Sequence, residues 1–192
     1  MITLLENNTE FNYQVWSSDV IINHRDEIIE SALQAEKLFE NRFGSIKDRD
    51  ITWSYQSYNI WLLTSPSPAW YLLFKDLIEI IKKQRDWKTP VWMESWINLH
   101  KTESLLDWHT HHWPMHGYIS IDPKATVTEF KEYSIVNNPG QIYIGAGRKL
   151  HRVVATGPID FSSPRITVGF DLAYSFIGEE YPLDYQLMPL IL

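Results

Sequence analysis

The feature that most constrains how this chain can fold is a change of hydrophobic period at Pro90. Before it, apolar residues recur at helical spacing: Ile28, Ile29, Ala32, Leu33 and Leu38, between Asp26 and Glu40, describe one packing helix. A second begins where Ser67 can cap and Pro68 can occupy the first turn. It continues through Trp70, Leu73, Phe74, Leu77, Ile78 and Ile81 to Lys82 and Lys83 near its negative end. After Pro90 the pattern becomes short β-type runs: Val91 to His100, His116 to Ile121, Ala125 to Phe130, Gln141 to Gly145, His151 to Thr156 and Arg165 to Leu172. That many strands in about eighty residues imply an antiparallel sandwich or small barrel. Helices first and strands afterwards, without βαβ alternation, predict an α+β fold with the helices supporting one face of the sheet.

The 192 residues suit a single domain, and no linker or internal repeat divides them. The expected organisation is a mainly helical support over 1–90, a β core over 91–175 and a packed tail over 176–192. The apolar stretch from Tyr181 to Leu192, interrupted by Pro182 and Pro189, is also a candidate homodimer contact. Seventeen Lys and Arg against twenty-four Asp and Glu give a net charge of −7, which repels a phosphate backbone, so nucleic acid is not an expected partner. No run has the length of a bilayer-spanning helix, so no membrane partner is expected. With no cysteine, the chain has neither disulfides nor thiolate metal ligands, and Glu6, Asn7, Asn8 and Glu10 are unlike the start of an export signal. A cytoplasmic setting is the expectation.

Of seven histidines, His100, His109, His111, His112 and His116 fall in one short span, and His151 follows. Such clustering suggests a metal. In extended backbone the rings of His109 and His111 point to one side and His112 to the other. His151, opening a strand after the turn Gly145 to Leu150, is placed to supply a third ligand. Three ligands on one face of an octahedral ion leave the opposite face open, as oxygen activation on Fe(II) requires. Zinc is the competing metal; its bound water would need a general base, for which Asp107 and Glu103 are candidates. His100 and His116 are read as strand-end or core residues.

Arg165-Ile166-Thr167 separates these readings. It lies fourteen residues after His151, in a strand where positions 165, 167, 169 and 171 share a face. Arg165 offers a planar fork to a carboxylate and Thr167 a hydroxyl beside it. A buried arginine needs an anion, and the distal carboxylate of 2-oxoglutarate would serve while its 2-oxo acid end chelates iron. Asn98, Tyr118 and Tyr143 are candidate hydrogen-bond donors to co-substrate or substrate. Trp92, Trp96, Trp108 and Trp113 are candidate pocket walls or core. A basic strip of Arg148, Lys149 and Arg152 lies near the metal turn.

His109-Thr110-His111, then His151, then Arg165-Ile166-Thr167, on strands backed by helices, resembles the non-haem iron, 2-oxoglutarate-dependent dioxygenases. The nearest flavour is the short prolyl-hydroxylase-like and phage-encoded oxygenases. Trp96-Ile97-Asn98-Leu99-His100 and Gly117-Tyr118-Ile119-Ser120 are similar to the strands flanking that family's metal loop. Pro139-Gly140-Gln141-Ile142-Tyr143-Ile144 resembles its approach to the distal histidine. The resemblance covers residues 91–175. It implies a double-stranded β-helix (jelly-roll, cupin-like) barrel, Fe(II) on His109, His111 and His151, and 2-oxoglutarate on Arg165 and Thr167. It also implies hydroxylation of a small-molecule or peptide substrate with release of succinate and carbon dioxide. One position departs from the pattern: the family carries a carboxylate two residues after its first histidine, where this chain has His111. Either His111 completes an all-histidine triad, or it is a neighbour and His109 and His151 hold iron with water. An all-imidazole set leaves the iron one charge unit more positive, favouring the dianion and making oxidation harder. Two other readings stay open: a cupin-like three-histidine metalloenzyme that does not use 2-oxoglutarate, and a non-catalytic metal-binding β-barrel.

Overall fold

The computed structural model of the protein describes residues 1–44, 58–62, 67–85, 87–101, 105–174 and 187–192. In chain order the elements are β1 (Ile2–Asn8), β2 (Tyr13–Ser18), α1 (Asp19–Asn23), α2 (Arg25–Phe43), a 3-10 turn (Ile60–Leu62) and α3 (Pro68–Lys82). They continue with β3 (Val91–His100), β4 (Met115–Asp122), β5 (Thr126–Phe130), β6 (Ser134–Asn137), β7 (Gln141–Ala146), β8 (His151–Ala155), β9 (Arg165–Ala173) and β10 (Met188–Leu190). A seven-stranded sheet runs β1-β2-β7-β4-β9-β3-β10 and a three-stranded sheet runs β6-β5-β8, with antiparallel pairing throughout. The small sheet lies over one face of the large one: Arg165 of β9 reaches Thr126 of β5, and Phe130 of β5 packs on Tyr143 of β7 at 5.2 Å between ring centroids. The helices cover the other face. The architecture is the expected α+β double-stranded β-helix, with helices behind one sheet.

Side chains alternate across the large sheet, so its two faces differ in chemistry. Met93, Ile97, Leu99, Ile119, Ile121, Ile142, Ile144, Ile166, Val168 and Leu172 face the helices and form the main core with Ile28, Ala32, Phe39, Trp70, Leu73 and Leu77. Glu94, Asn98, His100, His116, Ser120, Arg165, Thr167 and Asp171 alternate with them and are buried on the barrel side. A face so polar costs stability unless its groups find partners, which marks it as the functional side.

Helix α3 begins as its sequence predicts. Ser67 accepts from the Trp70 amide, and Glu27 of α2 accepts from both the Ser67 hydroxyl and the Ala69 amide, which joins the two helices at that cap. In α2 the buried stripe is Ile28, Ala32, Ala35 and Phe39, and Leu38 is exposed, contrary to its expected inward position. The first ninety residues are less helical than expected: β1 and β2 form a hairpin that extends the large sheet through β7. In β2 Tyr13, Val15 and Trp16 are all buried, so the strand shows no clean alternation, and the mostly exposed β1 is too polar to read as a strand. Of the tail, positions 176–186 lie outside the described residues. Met188–Leu190 pair with the outer edge of β3, where Pro189 is tolerated because an edge position has no partner for the missing amide hydrogen. Among the described residues no helix is long and apolar enough to cross a membrane.

Candidate metal centre

His151 opens β8, and the segment before β4 runs beside it. The amide of His109 donates to the carbonyl of His151 at 2.9 Å and the reverse bond is 3.0 Å, while the Val153 amide donates to Leu106 at 2.8 Å. This pairing sets the two imidazoles side by side, with ring centroids 4.3 Å apart. His111, whose amide donates to the Gly147 carbonyl, brings a third ring 5.4 Å from His109 and 5.3 Å from His151. One nitrogen from each of the three lies within 4.8 Å of the others, a spacing that can hold one metal ion. His112 is exposed, as the alternation predicts.

The hydrogen bonds decide which nitrogen each ring offers. Nδ1 of His109 lies 2.7 Å from the Asp107 carbonyl and Nδ1 of His151 lies 2.9 Å from the Lys149 carbonyl. A carbonyl only accepts, so both Nδ1 atoms carry hydrogen. Burial lowers the pKa of His109, and burial with the neighbouring imidazoles lowers that of His151 to about 2, so both rings are neutral and their Nε2 lone pairs are available. Nδ1 of His111 faces Asp171 Oδ2 at 2.9 Å, and its Nε2 is buried without a hydrogen-bond partner. A nitrogen-rich donor set with an orphaned buried Nε2 fits a divalent transition metal such as Fe(II).

Asp171, which the sequence analysis does not single out, lies beside this cluster, with His116 as its partner. His116 is opposite Asp171 in the register of β4 and β9; its Nδ1 lies 2.8 Å from Asp171 Oδ1, and its ring stacks on His111 at 3.7 Å and 14°. His116 is thus a buried, hydrogen-bonded core histidine, in keeping with its reading as a strand-end or core residue, and it also stacks within the imidazole cluster. Burial and the nearby imidazoles lower its pKa to about 4. For Asp171 burial acts to raise the pKa, but the two imidazoles outweigh it and bring the carboxyl down to about 2. Glu94, opposite Asp171 on β3, is driven up to about 8 by burial and by the Asp171 charge. The Trp96 ring lies nearly parallel to those of His111 and His116, with centroids 5.6 and 6.3 Å away. Its indole fits because position 169 is glycine: a Cβ there would stand 2.5 Å from the ring.

At the opposite end of the same face, Arg165 is 2 % exposed. Its Nη1 lies 3.1 Å from Nδ1 of His100, its register partner on β3, and its Nε donates to Thr126 at 3.4 Å. Burial, then the guanidinium, lowers the His100 pKa to about 3. The ring is thus neutral and accepts from Arg165, and both hydrogen-bond partners of this buried cation among the described residues are uncharged. Thr167 accepts from the Asn98 amide at 3.2 Å. The Tyr118 hydroxyl reaches toward Thr128 without a hydrogen bond of good geometry, and its pKa is raised by burial. Asn98, Tyr118, Arg165 and Thr167 therefore lie on three adjoining strands of one buried face.

Other expected groups are otherwise engaged. Asp107 is exposed, with its carboxylate accepting from the Trp108 amide, and it serves His109 through its carbonyl alone. Glu103 lies outside the described residues. Arg152 pairs with Glu129 and, with Lys131, flanks the Trp108 ring at 4.8 and 4.2 Å, while Lys149 donates to the Phe11 carbonyl.

No protein-family model and no curated protein sequence matches this chain. Solved structures do. The chain superposes on the non-heme alpha ketoglutarate dependent epimerase SnoN from nogalamycin biosynthesis with a TM-score of 0.55 and 10% identity, over 85% of this chain and 78% of SnoN. The non-heme alpha ketoglutarate dependent carbocyclase SnoK, from the same biosynthesis, gives 0.53 and 12% over 88% and 85%. AviO1 from Streptomyces viridochromogenes gives 0.54 and 11% over 88% and 92%. This chain shares their fold. At such identities the likeness reaches the backbone arrangement, and the chemistry has to be argued from the side chains.

Proposed function

We propose that this chain is an Fe(II)- and 2-oxoglutarate-dependent oxygenase that hydroxylates a C–H bond of a small molecule or peptide in the cytoplasm. The observation that carries the reading is the polarity of the barrel interior. Three imidazoles with uncommitted Nε2 atoms gather at one end, and a buried guanidinium with neutral partners lies at the other. A metal cation suits the first and a carboxylate the second, and 2-oxoglutarate joins the two requirements in one molecule. SnoN, which shares the fold, has been crystallised in complex with Fe3+, alpha ketoglutarate and nogalamycin RO.

His109, His111 and His151 would hold the iron, and Arg165 with Thr167, Asn98 and Tyr118 would hold the far carboxylate. Bound together, Fe(II) and 2-oxoglutarate supply dioxygen activation, with succinate and carbon dioxide as co-products. The chain's own contribution is preorganisation. The Asp107 and Lys149 carbonyls fix two imidazole tautomers, His100 and Thr126 orient the guanidinium fork, and Trp96 covers two rings.

Anaerobic titration with Fe(II) and then 2-oxoglutarate tests this: a visible charge-transfer band should appear, and succinate should form when air and a substrate are admitted. Tightly held zinc in a closed four-coordinate site, with no band, would overturn it in favour of a non-catalytic barrel. The presence of His111 where a carboxylate is usual favours a second reading, a three-histidine metalloenzyme that needs no diacid. An Arg165→Ala protein with unaltered metal-dependent activity would establish that reading.

A further inference from the structure

The all-imidazole set raises a question of charge, and the barrel interior contains an answer. A row in register across the large sheet brings Glu94 of β3, Asp171 of β9 and His116 of β4 side by side, all buried. Asp171 spends its two oxygens on two different rings, Oδ2 on Nδ1 of His111 and Oδ1 on Nδ1 of His116. The rings are stacked, so one carboxylate fixes the tilt of both, while Trp96 limits their movement from the other side.

We propose that Asp171 is the positioning residue of the metal centre: acting through His111, it supplies the negative charge that a directly ligating carboxylate would otherwise bring. This rests on the proposed function in requiring a metal on His109, His111 and His151. The carboxylate accepts the Nδ1 hydrogen of His111, which makes Nε2 the donor atom, increases its basicity and aims it at the position shared with His109 and His151. His111, His116 and Asp171 also form a group of metal-binding spacing, and His111 could serve either group. The hydrogen-bond arrangement decides between them. Each Asp171 oxygen faces its own Nδ1 at normal hydrogen-bond length, whereas the buried atom of His111 without a partner is Nε2. His116 in this account shares the carboxylate and is not a ligand.

Three measurements on the full chain test the assignment. The first is anaerobic Fe(II) affinity, by competition with a chromophoric chelator, for the wild type, Asp171→Asn, His116→Gln and His151→Ala. Asp171→Asn should bind Fe(II) about 10- to 100-fold more weakly, the range typical of partners that orient a ligand. His116→Gln should change affinity by only about threefold, because its ring lies outside the ligand set. The second is thermal unfolding of each metal-free variant, so that lost affinity is not mistaken for lost fold. The third needs no variant: histidine 15N spectra of the wild type with Zn(II) as a diamagnetic probe should show His111 metallated at Nε2 and protonated at Nδ1. Equal Fe(II) affinity in a folded Asp171→Asn protein overturns the proposal and leaves the three-histidine centre standing. A His116→Gln loss as large as that of His151→Ala, or zinc on Nδ1 of His111, overturns it in favour of Asp171 as a direct ligand. A wild type that binds no metal overturns both this assignment and the proposed function.

Discussion

The two ends of the barrel interior solve opposite electrostatic problems with the same residue type. At one end His109, His111, His116 and His151 cluster, with the Asp171 carboxylate bonded to His111 and His116, a donor set suited to a cation. At the other His100 accepts from Arg165, a buried cation suited to an anion. Histidine is the neutral partner in both. Burial keeps the rings of His100, His116 and His151 uncharged, so each can offer a lone pair where a permanently charged residue could not. What each ring faces at Nδ1 separates the two ends: a carbonyl for His109 and His151, the Asp171 carboxylate for His111 and His116, and the Arg165 guanidinium for His100.

The contrast can be broken one end at a time. The largest effect is expected from His151→Ala, which should reduce Fe(II) affinity about a thousandfold, roughly the share of one ligand among those of a metal site. The same anaerobic chelator competition measures it. Arg165→Gln should leave Fe(II) affinity within experimental error and weaken 2-oxoglutarate about 100-fold, as expected for charge-assisted hydrogen bonds removed from a buried site. Loss of both affinities together in the folded variant would show that the two ends are not separable. Calorimetry with iron preloaded under nitrogen gives the second number.

Glu94 sharpens the comparison through pH. Its carboxyl ordinarily titrates near 4.5 and in the fold near 8, so between those values the folded chain holds a proton that the unfolded chain releases. Stability of the metal-free protein should fall as pH rises through that window. Glu94→Gln should remove this slope, stabilising the protein by about 4 kcal/mol at pH 8 and by almost nothing at pH 4.5. The imidazoles act in the opposite sense: His151, His116 and His100 titrate lower when folded, so their contribution is lost as pH falls below 6.5. Chemical denaturation across pH 4.5 to 8 should therefore give a maximum in the wild type, and a flatter alkaline limb in Glu94→Gln. The smallest effect is expected from His100→Gln, which keeps an acceptor for Arg165 and should weaken 2-oxoglutarate only about threefold. His100→Phe, which leaves the guanidinium short of one acceptor, should cost about tenfold.

Much of this arrangement is legible in the sequence because its determinants are local. Two-residue spacing puts His109 and His111 on one side, and strand alternation carries Arg165 and Thr167 inward. The same alternation takes Asp171 inward too. What the sequence lacks is the neighbour: only the β4–β9 pairing reveals that His116 stands opposite Asp171, and only the β3–β9 pairing puts His100 beside Arg165. The hairpin of β1 and β2 escapes for a related reason, since β2 is covered on both faces and its apolar pattern no longer alternates. Leu38 misleads because Phe39, one position on, occupies the buried stripe.

The reciprocal amide pairing of His109 with His151 has a consequence for how such a pocket can change. Two of the three clustered imidazoles have their separation dictated by main-chain rungs. Substitutions elsewhere around the pocket that leave those rungs intact will leave the spacing of the two rings intact as well.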